Sequence, residues 1–158
     1  MTIRIGFGYD VHAFATGRPL ILGGVTIPSD RGLSGHSDAD AVIHAIVDAL
    51  LGAAALGDIG QHFPSNDKRW KNQPSSVFLD YTYVLLCQQQ YTISNIDATI
   101  VAEHPKMALH IPAMRTHLAE RLHLDIKQVS VKATTTDGLG FAGRREGIAC
   151  YAVALIQK

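Results

Sequence analysis

Residues 37–56 read SDADAVIHAIVDALLGAAAL, and the fold class is decided there. After Ser37 and Asp38, only Asp40, His44 and Asp48 interrupt an otherwise apolar run, so the stretch predicts a core helix rather than a surface one. Ser37 opens it in a near capping box, Ser-Asp-Ala-Asp, with Asp40 where Glu is usual. The helix is expected to reach about Ala55, with Gly57 ending it. On the N-terminal side, Thr2 to His12 alternates as a strand with Gly6 and Gly8 inside it. Pro19 to Pro28 (PLILGGVTIP) reads as a second strand, bent or bulged at its paired glycines. On the C-terminal side come a helix over Ser75–Gln90, a strand over Ile96–Ala102 and a helix over Pro112–Leu122. Strands at Val129–Thr134 and Ile148–Ile156 complete the set. The order β-β-α-α-β-α-β-β, with short connections, predicts an α/β sandwich. A mixed four- to five-stranded sheet would carry its helices on one face, in a single domain over residues 1–158. The opposite sheet face then needs a cover, and oligomerisation is the expected one.

Composition narrows the functional classes. With 47% hydrophobic and 18% charged residues, 158 residues fold around a packed core. Fourteen basic side chains balance fourteen acidic ones, which gives no general pull toward nucleic acid or anionic membranes. Cys87 and Cys150 stand in apolar surroundings without a CxxC pair, and read as buried thiols of a reducing compartment. No apolar run approaches the roughly 20 residues that cross a bilayer. The opening Met-Thr-Ile-Arg-Ile-Gly already reads as strand and leaves no room for a signal peptide. A soluble, cytoplasmic protein is expected.

Asp40, His44 and Asp48 are spaced four apart, which at 100° per residue makes one narrow polar stripe. By itself that stripe reads as the solvent edge of a core helix. Asp10-Val11-His12, however, ends the first strand, and residues two apart share a strand face. Asp10, His12 and His44 together offer one carboxylate and two imidazoles, a set suited to zinc with a fourth position left open for chemistry. The same set suits ferrous iron. Asp48, one turn beyond His44, is a candidate for orienting an imidazole from behind. Five loop segments offer anion chemistry. Lys132-Ala-Thr-Thr-Thr-Asp-Gly138 leaves a strand with three hydroxyls, although Thr suits strands and Asp-Gly suits turns. Asp58-Ile-Gly60 and Phe63-Pro-Ser-Asn-Asp67 are either a polar binding loop or turn chemistry. Ala102-Glu-His-Pro-Lys106-Met107 and Gly140-Phe-Ala-Gly-Arg144-Arg145-Glu146 add cations. His62, His104, His110, His117 and His123 show no ligand spacing.

These residues resemble a known family, the 2-C-methyl-D-erythritol 2,4-cyclodiphosphate synthases of the non-mevalonate isoprenoid pathway. The matching segments are RIGFGYDVH, GHSDADAVIHAIVDALLGAAALGDIG, FPSND, HPKM, VKATTTDGLGF and GRREGIAC, in the family's order and spacing along nearly the whole chain. The resemblance implies that Asp10, His12 and His44 hold zinc. It assigns His36 and Ser37 to the methylerythritol part of the substrate. Asp58, Ile59 and Gly60, with Phe63, Pro64, Ser65, Asn66 and Asp67, would line its surroundings and the ribose. The cytidine pocket would comprise Ala102, Glu103, His104, Pro105, Lys106, Met107 and Ala108. Thr134, Thr135 and Thr136 would hold the diphosphate, Asp137 would ligate Mg²⁺ or Mn²⁺, and Phe141 and Arg144 would complete the substrate contacts. His36 and Thr135 would stabilise the transition state. The implied activity is a CMP-releasing phosphorus–oxygen lyase acting on 4-diphosphocytidyl-2-C-methyl-D-erythritol 2-phosphate. The family's homotrimer, with three sites at subunit interfaces, agrees with the sheet face left uncovered. Its axial channel can take an isoprenoid diphosphate, with Arg144 as the anion anchor.

The sequence departs from the family pattern at Phe7, where His is common, and at Tyr9, where Phe is common. Ser65-Asn66 replaces the more usual Asp-Thr, and Asp137 the commoner Glu. Two rival functions remain testable: a zinc-dependent diphosphate phosphodiesterase, which would incorporate solvent oxygen, and a non-catalytic trimeric isoprenoid-diphosphate binder. A binder would not need Lys106, the threonine run and the metal-ligand set together.

Overall fold

The computed structural model describes residues 1–158. The chain runs β1 (Ile3–Ala15), β2 (Leu20–Leu22), β3 (Val25–Ile27), β4 (Gly32–Leu33), α1 (Ala41–Ala53), α2 (Ile59–His62), α3 (Ser76–Gln88), β5 (Thr92–Val101), α4 (Ile111–Arg121), β6 (Val129–Thr134), α5 (Gly140–Gly143) and β7 (Gly147–Gln157). Five strands form a mixed sheet in the order β4-β1-β7-β5-β6, parallel only between β5 and β6. The expected α/β architecture is therefore present. No helix is long and apolar enough to cross a membrane.

α1 lies across β1 and β7, and eleven of its thirteen residues are buried, as the apolar run predicts. It can approach so closely because Gly6 and Gly8 present bare backbone to it. A Cβ on either would come within 2 Å of a carbonyl oxygen, that of Ala49 or Ala45. The reverse face of the sheet is different. Ile3, Ile5, Phe7, Tyr9 and Val11 of β1, with Tyr151 and Val153 of β7, remain exposed. Tyr9 and Tyr151 pair across the strands with ring centroids 5.0 Å apart. An apolar face of that extent on one chain is unusual for a surface that meets only water.

Four local expectations need correction. Pro19–Pro28 is no single strand: Gly23 (φ +58°) and Gly24 (φ +76°) turn it into the β2–β3 hairpin, a separate two-stranded sheet. α1 begins at Ala41, since Ala39 sits at φ +58° and breaks any helix started at Ser37. Asp40 is its N-cap, accepting from the Ile43 N–H at 3.1 Å. The same buried carboxylate accepts the Gly23 and Gly24 N–H groups at 2.9 and 2.7 Å, so it ties the hairpin to the helix start. The helix also stops earlier than expected, at Ala53, and Ala55 turns to φ +58° before Gly57. Finally, Cys150 is buried but Cys87, in the last turn of α3, is exposed.

Candidate metal centre and substrate cavities

The end of β1 and the first turn of α1 meet at one point. Asp10 Oδ2 lies 2.8 Å from His12 Nε2 and 3.1 Å from His44 Nδ1, and the two imidazole nitrogens are 3.2 Å apart. Three donor atoms from three side chains thus converge on a space of ionic size. The donor types, two neutral nitrogens and one carboxylate, fit zinc with a position left open. The electrostatics agree. Burial alone would raise the Asp10 carboxyl, yet the His12 and His44 imidazoles beside it hold it at about 2. Burial works against the charged form of His12, but the Asp10 carboxylate raises its pKa above the ordinary value.

The polar stripe on α1 is not a solvent edge. Asp40 is wholly buried in its capping role, and His44 is only 9% exposed. Nor does Asp48 orient His44, as its spacing suggested. Its Oδ1 accepts the Ile59 N–H at 2.7 Å, which anchors the Asp58–Gly60 turn instead. Asp58 itself caps α2 by accepting the Gln61 N–H at 3.0 Å. The groups behind His44 are Ser75 and Ser37, whose hydroxyls lie 2.8 and 3.2 Å from its Nε2. His12 is held from behind too, its Nδ1 donating to the Ser34 carbonyl at 2.7 Å.

His12 and His44 open into a cavity of about 510 Å³ that His36, Ser37, Ile59, Gly60 and Phe63 to Asn66 also line. Its wall is aromatic: Phe63 stacks on Phe78 at 4.4 Å and meets Trp70 edge-on at 5.2 Å. His36 is fixed by donating from Nε2 to the Asp67 carbonyl at 3.0 Å, while Asp67 starts a single 3₁₀ turn over Lys68–Trp70 and pairs with Arg69 at 2.6 Å. The Arg18 guanidinium braces this loop by donating to the Gly35 carbonyl at 2.6 Å and to that of Ser37.

A second, separate cavity of about 190 Å³ lies between the chain after β5 and the end of β6. Ala102, Glu103, Pro105, Lys106, Met107 and Ala108 line it together with Ala133, Thr134 and Thr135. Glu103, which lines this cavity, also braces the threonine loop. Its Oε1 accepts the Thr136 N–H at 2.9 Å, the Thr136 hydroxyl at 3.2 Å and the Gly138 N–H at 3.2 Å. Asp137, at φ +54°, accepts a hydrogen bond from the Thr135 hydroxyl at 3.3 Å. Asp58, Asp67, His104, Thr136, Asp137, Phe141 and Arg144 line neither cavity, and Arg144 pairs with Glu146 at 2.9 Å. Within one chain, then, residues expected to grip one substrate are split between two pockets. Sequence reading passed over Asp38, Ser75, Trp70 and Phe78. Only a hydroxyl or ring far along the chain from its partner marks them, and no local spacing reports that.

Residues 3–157 match the YgbB family. A 2-C-methyl-D-erythritol 2,4-cyclodiphosphate synthase from Clostridium perfringens is 56% identical over 156 residues, 99% of this chain and 100% of its own length. Among solved structures, the bifunctional IspDF of Campylobacter jejuni superposes with a TM-score of 0.95 at 42% identity. That match covers 98% of this chain and 42% of the bifunctional one. A Plasmodium falciparum IspF described as a CDP complex superposes with a TM-score of 0.86 at 36% identity, covering 98% and 95% of the two chains. Sequence and fold agree along nearly the full length, and the chain belongs to the YgbB family of 2-C-methyl-D-erythritol 2,4-cyclodiphosphate synthases.

Proposed function

We propose that the chain closes 4-diphosphocytidyl-2-C-methyl-D-erythritol 2-phosphate into 2-C-methyl-D-erythritol 2,4-cyclodiphosphate and releases CMP. The observation that carries this reading is the Asp10–His12–His44 cluster opening into an aromatic-walled cavity, in a chain similar end to end to proteins of that name. The 2-phosphate oxygen forms a bond to the β-phosphorus while the bond from that phosphorus to the CMP oxygen breaks. Both partners belong to one molecule, so no protein nucleophile is required and catalysis is chiefly positioning. Asp10, His12 and His44 would hold zinc, and Asp137 would hold Mg²⁺ or Mn²⁺ with the substrate diphosphate. When bound, such cations supply charge stabilisation at the phosphoryl oxygens. His36 and Thr135 are the nonmetal groups that stabilise those same oxygens, and Thr134 and Thr136 flank them. Ser37 and the Asp58–Gly60 and Phe63–Asp67 segments receive the methylerythritol and ribose parts, while the Ala102–Ala108 pocket receives cytosine.

The two cavities of one chain join into one site if the exposed sheet faces of three copies meet, each site taking one cavity from each of two neighbours. This homotrimer is part of the proposal. Its axial channel would be lined by Phe7, Tyr9 and Tyr151, polar enough at the tyrosine hydroxyls to alter how an isoprenoid tail sits above Arg144. Cytoplasmic residence completes the reading. Incubation with the cytidyl substrate, Zn²⁺ and Mg²⁺ should give CMP and the cyclic diphosphate by phosphorus NMR, with no ¹⁸O taken up from labelled water. Linear, ¹⁸O-labelled phosphates would establish a hydrolase instead.

A further inference from the structure

A histidine can present only one nitrogen to a metal, and which one is decided by what its other nitrogen meets. His44 Nδ1 faces Asp10 and His12, so its Nε2 must carry the proton if Nδ1 is to offer a lone pair. Ser75, wholly buried just before α3, stands 2.8 Å from that Nε2. A serine hydroxyl can either donate or accept there. Asp38 removes the ambiguity: its Oδ2 accepts the Ser75 backbone N–H at 3.0 Å, and its Oδ1 takes the Ser75 hydroxyl proton. With that proton committed, Ser75 Oγ is an acceptor toward His44. The Ser37 hydroxyl, which accepts the Ala39 N–H at 3.2 Å, reaches the same Ser75 oxygen at 3.3 Å. The opposite arrangement would put the His44 hydrogen on Nδ1, pointed at Asp10 Oδ2 and blocking the lone pair. It would also leave the 2.8 Å contact between Nε2 and Ser75 Oγ with no hydrogen in it unless Asp38 gave up the serine proton.

We infer that Asp38 and Ser75 are positioning residues, a relay that locks His44 in the Nε2–H form so that Nδ1 is free to bind the metal. The inference rests on the proposed metal site, but not on turnover. The relay also has a structural consequence. It ties the chain just before α1, through Asp38, to the start of α3, so the metal ligand and the aromatic wall carrying Phe78 share one support.

The test uses the full chain. Long-range proton–nitrogen spectra of the metal-free, ¹⁵N-histidine protein should show His44 protonated on Nε2, and Ser75→Ala should produce a mixture of tautomers. In the same variant, zinc affinity, read by competition with a chromophoric chelator, should fall about 10- to 100-fold. The visible spectrum of the cobalt-loaded protein should change, and the metal-free protein should melt a few degrees lower, because the buried partners of the hydroxyl each lose a hydrogen bond. Ser75→Thr, which keeps the hydroxyl, should restore both affinity and spectrum. A parent His44 protonated on Nδ1 overturns the inference even if Ser75→Ala does not fold. So does a folded Ser75→Ala protein with zinc affinity within about threefold of the parent and an unaltered cobalt spectrum. If zinc binding behaves as expected but no cyclic product forms from the parent, the proposed function fails and the relay stands.

Discussion

Adding one methyl group at Gly8 should damage both the stability of the chain and its metal site. A Cβ there would lie 1.9 Å from the Ala45 carbonyl oxygen and 2.8 Å from the Ala49 nitrogen. Both are backbone atoms, so no rotamer change relieves the overlap. Restoring an ordinary 3.4 Å contact requires α1 to retreat by about 1.5 Å from β1. His44 immediately precedes Ala45, and Asp10 and His12 follow Gly8 on β1. The retreat therefore acts directly on the 3.1 Å spacing between His44 Nδ1 and Asp10 Oδ2. Overpacking a core costs about 1–3 kcal/mol, and a clash with helix backbone belongs at the upper end. A loss of about 3 kcal/mol corresponds to roughly 6–12 °C in Tm for a domain of this size. Melting should be followed at one fixed chain concentration, because association adds to apparent stability. Zinc affinity should drop about tenfold or more in parallel. Gly52→Ala is the control on the same helix: its position is exposed, with nothing within 4 Å, so alanine there should stabilise by about 0.5–1 kcal/mol. If Gly8→Ala melts within 2 °C of the parent (about 2 °C being the least that 1 kcal/mol gives) and binds zinc equally well, glycine contact does not set the ligand spacing.

Val153→Asp, in the middle of the exposed sheet face, should convert a species of about 51 kDa, three times the 17.1 kDa chain, into monomer by light scattering. A parent already monomeric and active would refute the trimer. Asp137→Asn keeps a residue that tolerates φ +54°, so a rate loss of about tenfold would isolate the carboxylate's charge, equivalent to about 1.4 kcal/mol of barrier. Equal rates across a magnesium titration would leave Asp137 a turn residue. For the metal-free protein, the folded Asp10 pKa lies below its unfolded value. Its stabilisation is therefore present above about pH 3.8 and lost as pH falls toward about 2. The folded His12 pKa lies above its ordinary 6.5, so that contribution is complete below pH 6.5 and lost as pH rises through the raised value. Urea midpoints across pH should accordingly be highest between about 4 and 6.5, and a profile flat from pH 2 to 8 would contradict the pairing.

The elements that the chain writes locally were legible from sequence: an apolar core helix, strands with period two, and Pro112 in the first turn of α4. Asp10, His12 and His44 were legible as well, because residues two apart on a strand share a face and the α1 run had only a few polar side chains to explain. What failed was whatever depended on contacts between distant segments. Ser37 looked like a helix cap because Ser-Asp-Ala-Asp has the right spacing, but Ala39 at φ +58° hands the cap to Asp40 and frees Ser37 for the site. Asp48 looked like the partner of His44 at one helical turn, yet the Ile59 N–H, brought back by the turn after α1, claims it. Cys87 looked buried because its neighbours are apolar, although the helix presents that position to solvent. Periodicity reports which face a side chain occupies on its own element. Which hydrogen-bond partner it finds there is decided only when the elements pack, since each buried donor must be matched with whatever acceptor the tertiary structure brings within reach.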